Sequence, residues 1–312
     1  MKKEIIVGSR ESALAMWQAR AVVEELARIC PQYSYRIVGI KTRGDKITDV
    51  PLAKIGGKGL FTKELETAML RGEIHMAVHS MKDLPTELPQ GLTVGAVLKR
   101  DYPGDVLISR HNVKLAELPA GSRIGTSSLR RRAQLLHYRP DLTVVELRGN
   151  IHTRLRKLRE ESLEAVVLAY AGIRRMNWEG IITESIPLEI CLPAAGQGAI
   201  AVEVPCEDKE TLELVKKLDH LKTRLEIEAE RAFLKGLEGG CQVPIGVLGR
   251  IDGPKLTLEG VVADLEGKKL LRQGTDGSPH RAPAVGAALA KAMLEKGAGE
   301  ILRCLREKDA CD

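Results

Sequence analysis

From its first residues to about position 205 the chain alternates short apolar runs with amphipathic stretches, and few folds accommodate that rhythm. Ile5–Val7 reads as a strand, closed by the turn-forming run Gly8-Ser9-Arg10-Glu11-Ser12. Ala15, Ala19, Val22, Leu26 and Ile29 follow at spacings of four and three, which places them on one face of a helix with Ser12 as N-cap. Tyr35–Lys41 is the next strand, Phe61, Leu65 and Met69 mark a second amphipathic helix, and Ile74–Val78 and Leu92–Val97 are further strands. Strands separated by helices predict parallel sheets covered on both faces.

Two turn-rich junctions interrupt the alternation. The first is Arg100-Asp101-Tyr102-Pro103-Gly104, after which strands recur near Val106–Ser109, Thr143–Leu147 and Ala165–Ala169 with basic helices between them. The second is Leu192–Gly198, followed by a strand at Ile200–Val204. Two crossings around one α/β block predict a domain inserted into another, with a cleft between them: residues 1–99 plus 200–217 form the first lobe and 104–193 the second. Beyond Leu221 a helix to Lys235 leads into a loop, β-like runs at Gly246–Arg250, Leu256–Ala263 and Lys268–Arg272, and helices at Pro283–Lys296 and Glu300–Arg306. That is an α+β third domain over 221–312. A chain of 312 residues is long for a single core, so several domains are expected.

Charge narrows the partner. Between Arg123 and Arg175 twelve Lys or Arg stand against five Asp or Glu, an excess of seven positive charges where the whole chain carries +6. Such a field calls for an anion. Only 3% of residues are aromatic, and the basic stretch holds just Tyr138 and Tyr170, which disfavours stacking on single-stranded nucleic acid. A small polycarboxylate or phosphate fits better. The six cysteines include no C-x-x-C pair, against a disulfide framework or structural zinc site. No apolar run approaches the roughly 20 residues of a membrane span, and nothing resembles a signal peptide. A reducing cytosol is the expected compartment.

The basic residues gather where strands run into helices. Gly125-Thr126-Ser127-Ser128-Leu129-Arg130-Arg131 sets hydroxyls before a helix start and two arginines in its first turn. Exposed N–H groups and the helix dipole attract anions there, and the guanidinium fork takes a carboxylate by two hydrogen bonds. Arg148-Gly149-Asn150-Ile151-His152-Thr153-Arg154 and Ala171-Gly172-Ile173-Arg174-Arg175 repeat the logic. Three such turns at successive strand ends converge, since ligands of open α/β sheets sit beyond the carboxyl ends of strands. Ala77–Pro85 places Asp83 just past a strand, beside Ser80 and Lys82. In a cation-rich cleft a solitary carboxylate suits stabilisation of a developing positive charge. Lys54–Gly59 departs from a phosphate loop, because Leu52 stands where glycine is required and Gly59 follows Lys58; it reads as a cationic flap. Gly196–Ala201 fits G-x-G-x-x-A but leads into a strand, and His75 and His79 lack a third metal ligand nearby. In Leu237–Gly246 a thiol, Cys241, follows two glycines and precedes Pro244, which describes a cysteine held out on a tight loop.

These segments together resemble the porphobilinogen deaminase (hydroxymethylbilane synthase) family. The resemblance runs in order over nearly the whole chain: GSRESALA, KTRGD, PLAKIGGKGLFTKELE, AVHSMKDLP, GTSSLRR, LRGN, LPAAGQGA and LEGGCQVPIG. It implies an α/β chain of three domains, two lobes like those of type II periplasmic binding proteins around a cleft and a C-terminal α+β domain. It implies a cytoplasmic, monomeric transferase of tetrapyrrole (heme) biosynthesis, with no nucleic-acid or membrane partner and no metal. Its dipyrromethane cofactor is a thioether on Cys241, and four porphobilinogen molecules join it head to tail with loss of ammonia before hydrolysis releases hydroxymethylbilane. Asp83 matches the catalytic aspartate. The resemblance implies that the cofactor is held by Ser80, Lys82, Asp83, Thr126, Ser127, Ser128, Arg130, Arg131, Arg148 and Gly149. It implies that the substrate is held by Arg10, Ser12, Lys54, Lys58, Phe61, Arg148, Arg154, Arg175 and Gln197, with the flap as a lid. Every pyrrole carries an acetate and a propionate, which accounts for the arginines. His152 and Tyr170 depart from the small and aliphatic residues of the family pattern. A non-catalytic anion sensor would explain the cleft but not Cys241 or Asp83, and an RNA-binding protein would want more aromatics.

Overall fold

The structure is a computed structural model that describes residues 3–46, 59–238 and 243–311. In chain order the strands are β1 (Lys3–Arg10), β2 (Tyr33–Ile40), β3 (Met76–Ser80), β4 (Leu92–Val97), β5 (Asp105–Ser109), β6 (Arg123–Gly125), β7 (Thr143–Val145), β8 (Ala165–Ala169) and β9 (Glu184–Ser185). β10 (Ile200–Pro205) follows, and β11 (Ile245–Asp252), β12 (Lys255–Ala263) and β13 (Leu270–Gly277) close the series. The chain divides into two compact units. Among the described residues one comprises 3–46, 59–101 and Gly198–Arg224; the other comprises Tyr102–Gln197, 225–238 and 243–311.

The first unit is a five-stranded sheet in the order β2-β1-β3-β10-β4. The Ala13–Ile29 helix covers one face. Ser12 caps it by accepting a hydrogen bond from the Ala15 amide (3.3 Å), and Ala19, Val22 and Leu26 pack on Ile5, Val7, Met76 and Val202. Burying a side chain such as Val22 or Leu26 contributes about 1.5–3 kcal/mol. The Lys63–Leu70 helix covers the other face through Leu65, Ala68 and Met69 against Ile74, Ala77 and Leu92.

The second unit holds two sheets. The first, in the order β7-β6-β8-β5-β9, is filled on one face by Leu107, Ile124, Leu135 and Val167 and on the other by Val106, Leu147, Val166 and Ile173. The second is the antiparallel meander β11-β12-β13, covered by Phe233, Leu237, Leu289 and Met293 packed on Val247, Leu258 and Val262. The chain thus has two α/β lobes and a C-terminal α+β layer.

The two lobe sheets have one plan. β1 pairs in parallel with β2 and β3, as β6 does with β7 and β8. Between the third strand and the edge strand each sheet takes one antiparallel strand, β10 in the first and β5 in the second. This corrects the expectation of purely parallel sheets. Each antiparallel strand is the segment just after a junction, so it enters running against its neighbours. β6 and β9, of three and two residues, have no counterpart in the sequence reading, being too short to show a period.

Candidate active site

In the first unit two strand ends meet at a recess. β1 ends on Arg10, β3 ends on Ser80, and a single 3-10 turn, Met81–Asp83, carries Lys82 and Asp83 past the sheet edge. The turn is braced by the Met81 amide on the Ala199 carbonyl (3.0 Å). Arg10, Ser12, Gln18, Phe61, His79, Ser80 and Asp83 line the recess, so five residues expected at the site from sequence share one wall. The Arg10 guanidinium carbon lies 4.2 Å from the Phe61 ring centre, a cation–π contact. Arg10 hydrogen-bonds Asp45 through Nε (3.2 Å) and Nη2. Its Nη1 is 3.8 Å from the Asp83 carboxylate, an attraction too long for a hydrogen bond. Asp83, its side chain one-third exposed, therefore keeps acceptor capacity for an incoming N–H. Ser80 Oγ is held by the Gln18 amide at 2.9 Å.

Asp45 and Gln18 were not legible as site residues. Burial pushes the Asp45 carboxyl up, but hydrogen bonds and charge from Arg10, with the Thr42 hydroxyl and amide, hold it below the usual carboxylate range. It lies inside the Lys41–Asp45 motif, which was the available signal. His79 is buried on β3 with Nε2 3.1 Å from Glu203 of β10. Glu66 is buried in the same unit; its carboxyl is pushed up by burial, opposed by the Thr62 hydroxyl and reinforced by the charge of Glu203. His75 instead accepts the Ile6 amide on Nδ1 (2.9 Å). Among the described residues no group of three or more His, Cys, Asp or Glu is arranged to hold a metal ion.

The second unit holds the other expected set. Ser128 caps the Leu129–Tyr138 helix at the Arg131 amide (3.4 Å), the Thr126 hydroxyl accepts the Ser128 amide (3.2 Å), and the Ser127 hydroxyl donates to the Leu147 carbonyl. Arg130 and Arg131 turn inward. Arg130 Nη1 and Arg131 Nη2 each lie 2.7 Å from Asp105, which is fully buried at the start of β5. Gln197, 1% exposed, donates to Asp105 (2.8 Å) and to the Pro103 carbonyl (2.6 Å). Sequence reading missed Asp105: its partners stand about 25 positions away, and its one signal is its place just after Pro103-Gly104. Burial would raise its carboxyl, yet the two guanidinium charges hold it far below the carboxylate range. Burial pushes the neighbouring Cys191 thiol up to about 12.

Asn150 caps the Ile151–Glu160 helix by accepting the Thr153 amide (2.9 Å), and Arg154 Nε donates to the Gly149 carbonyl (2.8 Å). Gly149 has φ +111 and its missing Cβ would fall 2.7 Å from Thr153 Cβ, so only glycine fits this turn. Arg175 is 6% exposed at the end of the Tyr170–Arg175 helix. His152 and Tyr170, the two departures from the family pattern, each sit edge-on to an aromatic ring, Trp178 at 4.5 Å and Tyr102 at 5.4 Å. Cys241, Lys54 and Lys58 lie outside the described residues.

The donor set suits a polycarboxylate ligand. Arg148 carries a buried Nη1 with no hydrogen-bond partner among the described residues, and Arg130 Nε and Arg131 Nε are likewise unpartnered. Residual positive charge with unused donors is what a carboxylate side chain would complete.

Comparison with known proteins shows the family. A family model described as "Porphobilinogen deaminase, dipyromethane cofactor binding domain" matches residues 5–213, and one described as "Porphobilinogen deaminase, C-terminal domain" matches residues 224–295. The porphobilinogen deaminase of Pelotomaculum thermopropionicum is 63% identical over 309 residues, 99% of each chain. Those of Carboxydothermus hydrogenoformans and Desulforamulus reducens are 56% and 54% identical over 306 residues, covering 98% of this chain and 98% and 99% of theirs. The chain belongs to the porphobilinogen deaminase family.

Proposed function

We propose that this chain condenses four porphobilinogen molecules head to tail on a dipyrromethane held by Cys241, releasing ammonia at each step, and then frees the linear tetrapyrrole by hydrolysis. The observation that carries the reading is Asp83 set 3.8 Å from Arg10 at the joined ends of β1 and β3. Loss of ammonia from an aminomethylpyrrole leaves a cation. Asp83 can hold that cation through its charge and accept the pyrrole N–H, while Arg10 and Ser12 take substrate carboxylates beside it. Ser80 at the end of β3 and Lys82 on the turn precede Asp83 and would orient the ring. The cofactor would supply a nucleophilic pyrrole carbon as the starting point of the chain. Thr126–Ser128, Arg130, Arg131, Arg148 and Gly149 would hold its acetate and propionate groups. Arg154, Arg175, Gln197, Lys54, Lys58 and Phe61 would serve the incoming pyrrole.

We read residues 1–99 with 200–217, 104–193 and 221–312 as the three domains. No helix among the described residues is long and apolar enough to cross a membrane. A monomer working in the cytoplasm fits this reading; light scattering of the purified chain tests the first point. The deciding experiment is intact mass under denaturing conditions. An excess equal to two substrate-derived pyrroles, abolished by Cys241→Ser, supports the function. A bare polypeptide mass in material that turns over porphobilinogen contradicts it.

A further inference from the structure

The hairpin turn joining β12 to β13 has no part in the chemistry above, yet it is built as a rigid plug. The Asp264 carboxylate accepts three backbone N–H groups, from Glu266 and Lys268 at 3.0 Å each and from Lys269 at 2.8 Å. At the tip Gly267 is buried between exposed Glu266 and Lys268, with φ +70. A Cβ there would lie 2.4 Å from the His137 amide nitrogen and 2.9 Å from the Ala133 carbonyl oxygen. Backbone thus touches backbone, on the helix whose first turn carries Arg130 and Arg131. Two hydrogen bonds fix the contact: His137 Nδ1 to the Gly267 carbonyl (2.8 Å) and Arg132 Nε to the Leu265 carbonyl (3.1 Å).

The same hairpin also meets the described residues that follow Cys241. The Ala263 amide, one residue before Asp264, donates to the Pro244 carbonyl (3.2 Å), and Ile245 pairs with Val262. Pro244 is three residues after Cys241. A backbone path of a few residues therefore runs from Pro244 to the arginine helix.

We propose that the Asp264–Lys269 turn is a positioning strut that fixes the arginine helix relative to Pro244, three residues past Cys241, with Gly267 as its contact residue. The strut rests on the functional reading above, because it serves a ligand anchored at Cys241 and held by Arg130 and Arg131. A helix free to shift would misplace both arginines at once, and a displacement of about 1 Å is enough to forfeit much of a preorganised site.

The test compares Gly267→Ala with Gly253→Ala in the full chain. Gly253 is a turn glycine of the same sheet with φ +53 and no atom within 4 Å of its would-be Cβ, so it carries comparable backbone strain without the contact. Two quantities are read: hydrogen-exchange protection of amides in 129–138, and the fraction of chains bearing the covalent adduct by intact mass. Gly267→Ala is expected to lower protection at least tenfold and adduct loading at least fivefold relative to Gly253→Ala. Loss of either without the other overturns the proposal, as does loss of neither. Should Gly267→Ala not fold, Asp264→Ala removes the turn's internal brace at a half-buried position; it is expected to lower both quantities about threefold, and unchanged values overturn the proposal. Wild-type protein lacking any adduct sinks the functional reading alone; the exchange arm still decides whether the turn holds the helix.

Discussion

Replacing Asp105 by Asn removes one buried negative charge while keeping the side-chain volume and one acceptor oxygen. Asp105 is fully buried, and both guanidinium groups that meet it at 2.7 Å belong to residues only 4% exposed. The amide would leave two cations in a dry site with the Leu192 and Val167 carbonyls as their main remaining acceptors. Breaking a buried ion pair from one side costs about 3–5 kcal/mol. At about 2–4 °C per kcal/mol for a unit of this size, the melting temperature should fall by about 6–20 °C. Differential scanning calorimetry at neutral pH measures it. The double variant Asp105→Asn/Arg130→Met should regain part of the loss, because an apolar side chain suits the site better than an unpaired charge. The pH dependence has a definite sign. A carboxyl depressed in the folded state stabilises above its unfolded value of about 3.9, and that contribution is lost as pH falls below it. Wild type should therefore lose stability on acidification below about pH 4, and Asp105→Asn should show a flatter acid limb. A fall of under about 2 °C, or a double variant less stable than the single, would refute the assignment of Asp105 as the partner of both arginines.

Asp83→Asn should lower kcat by about 100- to 1000-fold, as removal of one electrostatic stabiliser does, with far smaller change in melting temperature, measured by steady-state turnover of porphobilinogen. Arg10→Lys keeps the charge but loses the fork onto Asp45 and the planar stack on Phe61; KM for porphobilinogen should rise about tenfold or more. Alkylation at pH 8 should reach exposed Cys304 within minutes, whereas Cys191, buried and pushed up to about 12, should label only on unfolding, as peptide mass mapping would show.

Much of the architecture was legible because periodicity survives wherever an element is long enough to have one. Leu92–Val97 and Ala165–Ala169 stand where the sequence reading puts them, as do the Ser12 cap and the return of Ile200 to the first sheet. Strand direction was not legible, since β5 and β10 read as apolar runs whichever way they point. Of the candidate site, the residue types at turns were legible: Arg10, Ser12, Phe61, Ser80 and Asp83 line one recess. What the sequence hid was the partner of each charge. Arg130 and Arg131 look solvent-ready at a helix start, but that helix lies over a sheet whose strand β5 presents Asp105 beneath it. The Glu203–His79 contact is equally invisible, because antiparallel pairing brings together residues 124 positions apart.

β10 lies between β3 and β4, so those two strands never touch in the finished sheet. A ribosome that has released only the first hundred residues has therefore made a lobe with a missing middle plank. The second sheet, whose β5 comes first in its own stretch of chain, can close while β10 is still being synthesised. The part of the protein made earliest is thus completed late, and truncations ending anywhere between Asp101 and Ile200 should yield a first lobe that chaperones or proteases treat as unfolded.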